Sequence, residues 1–412
     1  MREIIVEVPS YPWHGDTNLA LEFPENWEVR VFTMKGDSAK RIKEEDIRKS
    51  LRNPIGTKPL AKLAEGKDSA VIIFDDLTRP TKVGEIAEVV LSEMKIKNVV
   101  FICANGAHGT FNREDFAKKL GERIVENFPV FNHNPYENLC YLGETQFGTP
   151  LEINAEVMSY SLKIAIGCIL PHPQYGYGGG AKIILPGVAG MRSIIHNHGV
   201  LGGWGYGMKF RELHPTCQMA YGRVNEENIQ RKDAEDAAKI AGLDFIVNVL
   251  VNTRRDSTHV FAGDFIGAHR KGVEVAREHY STPISFEFDA VIANAYSKAN
   301  EATLALWTGV CLRDGGTLVL ISNSKWGQVA HFLHGKWGMR KRGGTLYLPP
   351  PEILEKAGKI IFLSEFHEKQ PSFEVVGEKA VKVKTWKEAL EELGKEKKRV
   401  AVFPDATIQK PF

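Results

Sequence analysis

Three continuous apolar runs constrain this chain more than any other feature. Ser69 to Phe74 (SAVIIF), Asn98 to Cys103 (NVVFIC) and Lys163 to Leu170 (KIAIGCIL) are rich in β-branched residues, with little alternation of polar and apolar positions. A strand that is apolar on both faces must be covered on both, which is the condition of a parallel sheet flanked by helices. The first two runs each lead through a polar turn into a helical pattern. Asp75 to Pro80 precedes Val83 to Met94, and Asn105 to Thr110 precedes Asn112 to Leu120. Sheets of this kind carry their sites beyond the carboxyl ends of the strands. The loops Asp75 to Pro80, Asn105 to Thr110 and Pro171 to His198 are therefore expected to meet at one rim.

The pattern extends along the chain. Strands are expected near the N-terminus, at Trp27 to Met34 and at Asp244 to Asn252, with helices at Asn225 to Ala241 and Ile266 to Tyr280. A boundary falls at Ser281-Thr282-Pro283, after which the pattern restarts: a strand Asp289 to Ala295, a helix Asn300 to Thr308, a strand Gly316 to Ser322, then strands Ile360 to Leu363 and Arg399 to Phe403. The expected fold class is α/β, with two α/β domains, mostly parallel sheets and a cleft between them. The first domain runs over 1–280 and the smaller second one over 281–402. A length of 412 residues suits that division, and 43% hydrophobic with 25% charged residues suits a soluble globular protein. A net charge of +2, with Lys and Arg dispersed, offers no field for nucleic acid. No run of apolar residues is long enough for a membrane span, and the N-terminus enters a strand with no signal-peptide pattern. Five scattered cysteines, Cys103, Cys140, Cys168, Cys217 and Cys311, argue against a disulfide framework and point to a reducing cytoplasm.

The densest chemistry lies in PHPQYGYGGGAKIILPGVAGMRSIIHNH, Pro171 to His198. Glycines Gly176, Gly178, Gly179 and Gly180 allow close backbone approach to a ligand, and His172, Lys182, His196 and His198 share the stretch. It is not a P-loop, since Ala181 stands where the second glycine belongs and Ile183 where the magnesium-binding hydroxyl would be. A Rossmann fingerprint fits only loosely: Pro186-Gly187 stops the helix, and no acid follows at the ribose distance. Phosphate contact survives as an expectation; dinucleotide binding does not. The bland alternative is a tight glycine-rich connector with surface histidines.

Two other rim loops add to it. In Asp75-Asp76-Leu77-Thr78-Arg79-Pro80 the arginine offers a planar fork for a carboxylate or phosphate, though a salt-bridged strand end would look the same. His108 ends a strand before Gly109-Thr110, a place for an acid/base imidazole or for one that is merely hydrogen-bonded. Together these residues describe a cationic pocket for a small anion. No acidic cluster suggests magnesium, and H-x-H spacing alone is weak for zinc.

The combination D-D-x-T-R-P, H-G-T and PH-x-x-x-G-x-G-G-G-x-K-x-x-x-PG, with a histidine sixteen residues after the lysine, resembles the nickel-dependent lactate racemase family over nearly the full chain. That resemblance implies a nickel pincer nucleotide, a pyridinium-3-thioamide-5-thiocarboxylic acid mononucleotide, on Lys182 with His198 as nickel ligand. It implies His108 and His172 as acid/base residues and Arg79 and Lys298 as the grip on a substrate carboxylate. Asp76, Thr78, Gly178, Gly179 and Gly180 become cofactor contacts. It also implies accessory proteins that make the cofactor, and a C-terminal tail, 403–412, that returns to the first domain with hinges near Tyr280 and Phe403. The implied reaction is inversion of C2 of a 2-hydroxy acid by proton-coupled hydride transfer. Deprotonating that carbon beside a carboxylate would build a dianion, whereas removal of the hydroxyl proton with departure of a hydride leaves a neutral ketone.

Departures from the pattern, GYGGGAK in the loop and Ser297 before Lys298, favour a 2-hydroxy acid larger than lactate. His196 competes with His198 as ligand, and the sixteen-residue spacing favours His198. Three other readings stand beside this one: a metal-dependent hydrolase using His108 and Asp76, a binding protein for an acidic metabolite or nucleotide, and a scaffold.

Overall fold

The computed structural model describes residues 4–202, 228–329, 331–333, 356–366 and 380–411. Most of the glycine- and aromatic-rich run GGWGYG (Gly202 to Gly207), the start of the helix expected from Asn225, and Cys217 lie outside the described residues.

The chain opens with an antiparallel hairpin, β1 (Ile4–Ser10) and β2 (Thr17–Phe23), followed by β3 (Glu28–Val31). The apolar runs then form β4 (Ser69–Asp75) and β5 (Asn98–Ala104), with short β6 (Val130–Asn132) beside them. A hairpin of β7 (Leu139–Glu144) and β8 (Pro150–Asn154) precedes β9 (Leu162–Cys168). Two-residue strands β10 (Pro171–His172) and β11 (Gly176–Tyr177) pair with each other. β12 (Phe245–Val251) and β13 (Ser257–Gly263) complete a six-stranded sheet of order β13-β12-β9-β4-β5-β6, parallel except for β13. Alternate residues of its central strands feed two cores. Ile72, Phe74, Ile164 and Ile166 pack in one, and Val71, Ile73, Val100 and Ile102 in the other, as a doubly covered sheet requires.

After β14 (Ser281–Thr282), a second six-stranded sheet takes β15 (Phe288–Asn294), β16 (Leu312–Ile321), β17 (Ala357–Leu363), β18 (Ala380–Val383) and β19 (Arg399–Phe403). Its order is β18-β17-β16-β15-β19-β3, all parallel. Its sixth strand comes from the N-terminal segment, within the range expected for the first domain. Val8, Leu21, Phe23 and Trp27 likewise share a core with Val319, Ile361 and Val402. Sequence adjacency misleads here because a short, half-polar strand is placed by the sheet edge that its backbone can complete. The tail crosses back: β20 (Lys410–Pro411) pairs with β14, and Ile408 packs in the first sheet's core.

Several elements were not expected from the sequence, among them the strands β7, β8 and β13. Thr17 to Phe23 is a strand that the composition did not announce. The segment expected as a helix at Asn300 to Thr308 winds as a tighter 3-10 run over Ala299–Cys311, with non-helical angles at Glu301 (φ −125°, ψ 46°). Side chains from the following loop replace regular helical bonds there. Gln328 accepts from the Ala302 amide (2.8 Å), and Gln328 and Ser322 both donate to the Ala299 carbonyl (2.7 and 2.6 Å).

Register brings the site together. Asp75 stands opposite Ala104, and Phe74 opposite both Cys103 and Ile166, so the three rim loops start at one level. The first of them is held from behind by Lys119, on the helix Arg113–Leu120. Its fully buried amine pairs with Asp75 (2.8 Å) and donates to the carbonyls of Asp76 (2.9 Å) and Arg79 (3.0 Å). Lys119→Met leaves the Asp75 carboxylate without its cation and should cost roughly 3–5 kcal/mol, read as a lower urea midpoint at an unchanged slope.

Candidate active site

Asp76 is buried, and its two oxygens have separate tasks. Oδ2 lies 2.6 Å from His108 Nδ1, while Oδ1 accepts from the Thr78 amide (2.9 Å) and the Thr78 hydroxyl. Burial by itself would raise the carboxyl's pKa, but His108, Arg79 and Thr78 hold it down at about 2. An ionised Asp76 fixes a proton on His108 Nδ1, leaving Nε2 as the acceptor that faces the site. The Arg79 guanidinium donates to Thr78 Oγ1 (2.5 Å) and to Glu301 (2.8 Å). Asp76 and Thr78, expected as cofactor contacts, are thus engaged in orienting His108 and Arg79.

The glycine-rich stretch folds back as the β10–β11 pair, and its backbone is tied inward. The Gly178 amide donates to the Leu170 carbonyl (2.7 Å) and the Gly180 amide to Asn248 Oδ1 (2.8 Å). Arg231 donates to the Gly179 carbonyl (2.9 Å) and also to that of Tyr177, and His269 lies 2.9 Å from the Gly178 carbonyl. The expected outward anion cradle is not what the amides of Gly178 and Gly180 provide, since the Leu170 carbonyl and the Asn248 side chain use them. Glycine is required for another reason: at φ +77° and +59°, a Cβ on Gly179 or Gly180 would meet Asn248 or His269 at 2.8 Å.

This clamp aims Lys182 at Tyr175, a residue that the sequence reading passed over. The Lys182 amine lies 5.2 Å from the centre of that ring, the His172 ring 5.4 Å and the His198 ring 5.8 Å. Tyr175 donates its hydroxyl to Asn197, which donates in turn to Asp233 (2.7 Å). His196 turns the other way, with its Nδ1 2.8 Å from the Thr149 hydroxyl, and Thr149 donates to Asp233 (2.9 Å). His198 sits in a π-helical turn, His196–Leu201, that continues the helix Met191–Ile195. Such turns widen a helix and often mark functional sites.

Burial sets the charges. It lowers the Lys182 pKa to about 7, helped by Arg79, Lys298 and Arg231 against the opposing pull of Glu301. Burial also drives His172 well below its usual value, reinforced by Lys182, Lys298, Arg79 and His198. Its Nδ1 accepts from the amides of Gln174 and Tyr175 (3.2 Å each), so a neutral His172 carries its proton on Nε2.

The second sheet supplies Lys298, directly after β15. Its amine, 2% exposed, lies 2.5 Å from Glu301 Oε2, the same oxygen that Arg79 reaches. Glu301 Oε1 lies 3.7 Å from His108 Nε2. No motif announced Glu301; an acid three residues after the lysine was the available signal. His331 bridges to the His108 backbone, with the two rings 5.1 Å apart. Among the described residues no group of three His, Cys, Asp or Glu side chains gathers as a metal cage. The donors fit a group that brings its own metal ligands and takes one imidazole and one lysine from the protein.

An amine held near pKa 7 is mostly neutral, hence nucleophilic, in weakly alkaline buffer, where ordinary lysines are not. Peptide-resolved acetylation of Lys182 should therefore rise to a plateau above about pH 8, while the rate at surface lysines keeps climbing toward pH 10.

The family model for the lactate racemase N-terminal domain matches residues 14–205. A lactate racemase of Thermoanaerobacterium thermosaccharolyticum is 35% identical over 283 residues, 66% of this chain and 62% of that protein, so the match spans less than two thirds of the relative. One from Lactiplantibacillus plantarum is 30% identical over 330 residues, 76% and 74% of the two chains. The solved lactate racemase apoprotein from T. thermosaccharolyticum superposes with a TM-score of 0.72 at 26% identity, over 99% of this chain and 100% of that one. A Thermotoga maritima protein shares the fold at a TM-score of 0.65 and 16% identity, covering 92% and 100%. With the match reaching from the first rim loop through the glycine-rich stretch, this chain belongs to the lactate racemase family.

Proposed function

We propose that the protein is an isomerase that inverts C2 of a 2-hydroxy acid, using a nickel pincer nucleotide carried on Lys182 with His198 as the protein's nickel ligand. The observation that carries this reading is a convergence. Arg79 and Lys298, from different sheets, reach one carboxylate oxygen beside His108, while Lys182, His172 and His198 surround Tyr175. When bound, such a group supplies reversible acceptance of the α-hydrogen together with its electron pair.

The chain's own residues do the rest. Arg79 and Lys298 fix the substrate carboxylate from two sides, which holds C2 still while its substituents move. His108, with its proton held on Nδ1 by Asp76, takes the hydroxyl proton at Nε2. His172 faces the pocket as a donor in the present geometry. To serve as acceptor for the opposite enantiomer it must gain a proton at Nδ1, which requires the amides of Gln174 and Tyr175 to turn away. The two histidines therefore start from unequal states. A substrate larger than lactate remains our preference, together with accessory proteins that build the cofactor. We also place the protein in a reducing cytoplasm, where the buried thiols of Cys103, Cys168 and Cys311 stay reduced. The division into domains at 280/281 is proposed with one amendment, that 4–31 travel with the second sheet.

His198→Ala should abolish nickel retention in protein produced with the cofactor-making accessory proteins, and His196→Ala should keep it, because His196 is held by Thr149. Metal analysis decides; the reverse result reassigns the ligand. The reaction is tested in D2O with a panel of 2-hydroxy acids that includes sugar acids. The turned-over substrate should invert at C2 yet keep its original hydrogen there, and extensive deuterium at C2 would overturn the hydride course.

A further inference from the structure

We infer that Glu301 is a specificity-determining residue: its buried charge selects a 2-hydroxy acid bearing a single carboxylate and excludes one bearing two. The inference rests on the proposed role of Arg79 and Lys298 and deepens it.

Glu301 Oε2 receives both Arg79 (2.8 Å) and Lys298 (2.5 Å), the two groups assigned to the substrate carboxylate. Its Oε1 stands 3.7 Å from the His108 nitrogen assigned to the substrate hydroxyl. Before substrate arrives, one side chain thus imitates the oxygens of a 2-hydroxy acid. The kink at Glu301 makes this possible, because regular helical angles would aim the side chain elsewhere. An incoming carboxylate must share these cations with Glu301 or displace it.

Charge balance then decides which substrates fit. Arg79 and Lys298 contribute two positive charges; Glu301 and one substrate carboxylate offset them. Asp76, which orients His108 as a proton acceptor, adds a further buried negative charge. Lys182 is assigned to the cofactor, and the neighbouring Arg231 is engaged by the carbonyls of Tyr177 and Gly179. A second substrate carboxylate would enter a pocket in which Glu301 is 16% and Lys298 2% exposed, beside the buried charge of Glu301 and with no uncommitted cation among the described residues. An unpaired charge in such a place is costly, and discrimination by repulsion is the effective kind. A larger neutral substituent, such as the hydroxylated chain of an aldonic acid, brings no such charge.

The test compares malate with its C4 amide, 2-hydroxysuccinamate, which differs from it by one charge at nearly equal size. Binding to the full-length protein is measured by calorimetry. The wild type should bind the amide at least about tenfold more tightly than malate. Glu301→Gln should remove most of that difference by tightening malate, and Glu301→Asp, which keeps the charge, should preserve it. Equal affinity of the wild type for the two ligands overturns the inference without any variant. An amide-to-malate ratio unchanged in folded Glu301→Gln overturns it as well. Arg79→Ala and Lys298→Ala separate the two claims. If both bind the amide as the wild type does, the carboxylate grip itself has failed. If both lose binding while Glu301→Gln leaves the ratio intact, only the role of Glu301 has.

Discussion

The site depends on a buried ion pair that takes no part in the chemistry. Lys119 enters from the helix behind β4, neutralises Asp75 and caps the carbonyls of Asp76 and Arg79. A loop leaving a parallel sheet has carbonyls that no strand can satisfy, and burying them unpaired would be expensive. The lysine meets that need, and Thr81 donates to the same carboxylate at 2.6 Å. The loop is thereby rigid enough for Asp76 to fix the tautomer of His108 and for Arg79 to point across to the second sheet.

Beyond that clamp, burial is the main lever on the charges. The same low-dielectric surroundings bring Lys182 down to about 7 and Lys298 to about 8, and keep His172 neutral. The two carboxylates respond in the opposite sense to what burial alone would do. Each is held down by neighbours, Asp76 by His108 and Arg79, and Glu301 by Arg79 and Lys298. A site that gathers several cations can stay folded only if it also holds anions, which gives Glu301 a structural reason to be where it is. The same placement gives it influence over what binds.

The two sheets are joined by more than the active-site charges. Trp326, from the second, donates its indole hydrogen to Asp115 (2.9 Å), beside Lys118 and His14. The returning tail closes the circuit through β20 and Ile408. These contacts tie the position of Lys298 relative to Arg79 to the fold as a whole.

Much of this was legible in the order of residues. The runs SAVIIF, NVVFIC and KIAIGCIL determined a doubly covered parallel sheet, because only burial on both faces accommodates unbroken apolar strands, and that in turn determined which loops share a rim. The motifs around Arg79, His108, His172, Lys182 and His198 were visible because their spacing within a loop is a local property. What the tertiary structure alone decided are relations between distant segments. Tyr175 stands out because Lys182, His172 and His198 pack around its ring, and Glu301 because a kink beside Gln328 and Ser322 turns it toward Arg79, more than two hundred residues earlier. β3, from the N-terminal segment, joined the second sheet because an open edge beside β19 accepts a backbone whatever its place in the chain. The glycines were expected to cradle an anion, but the amides of Gly178 and Gly180 were taken by Leu170 and Asn248. Sequence records which groups are available; only packing decides which of them the protein uses on itself.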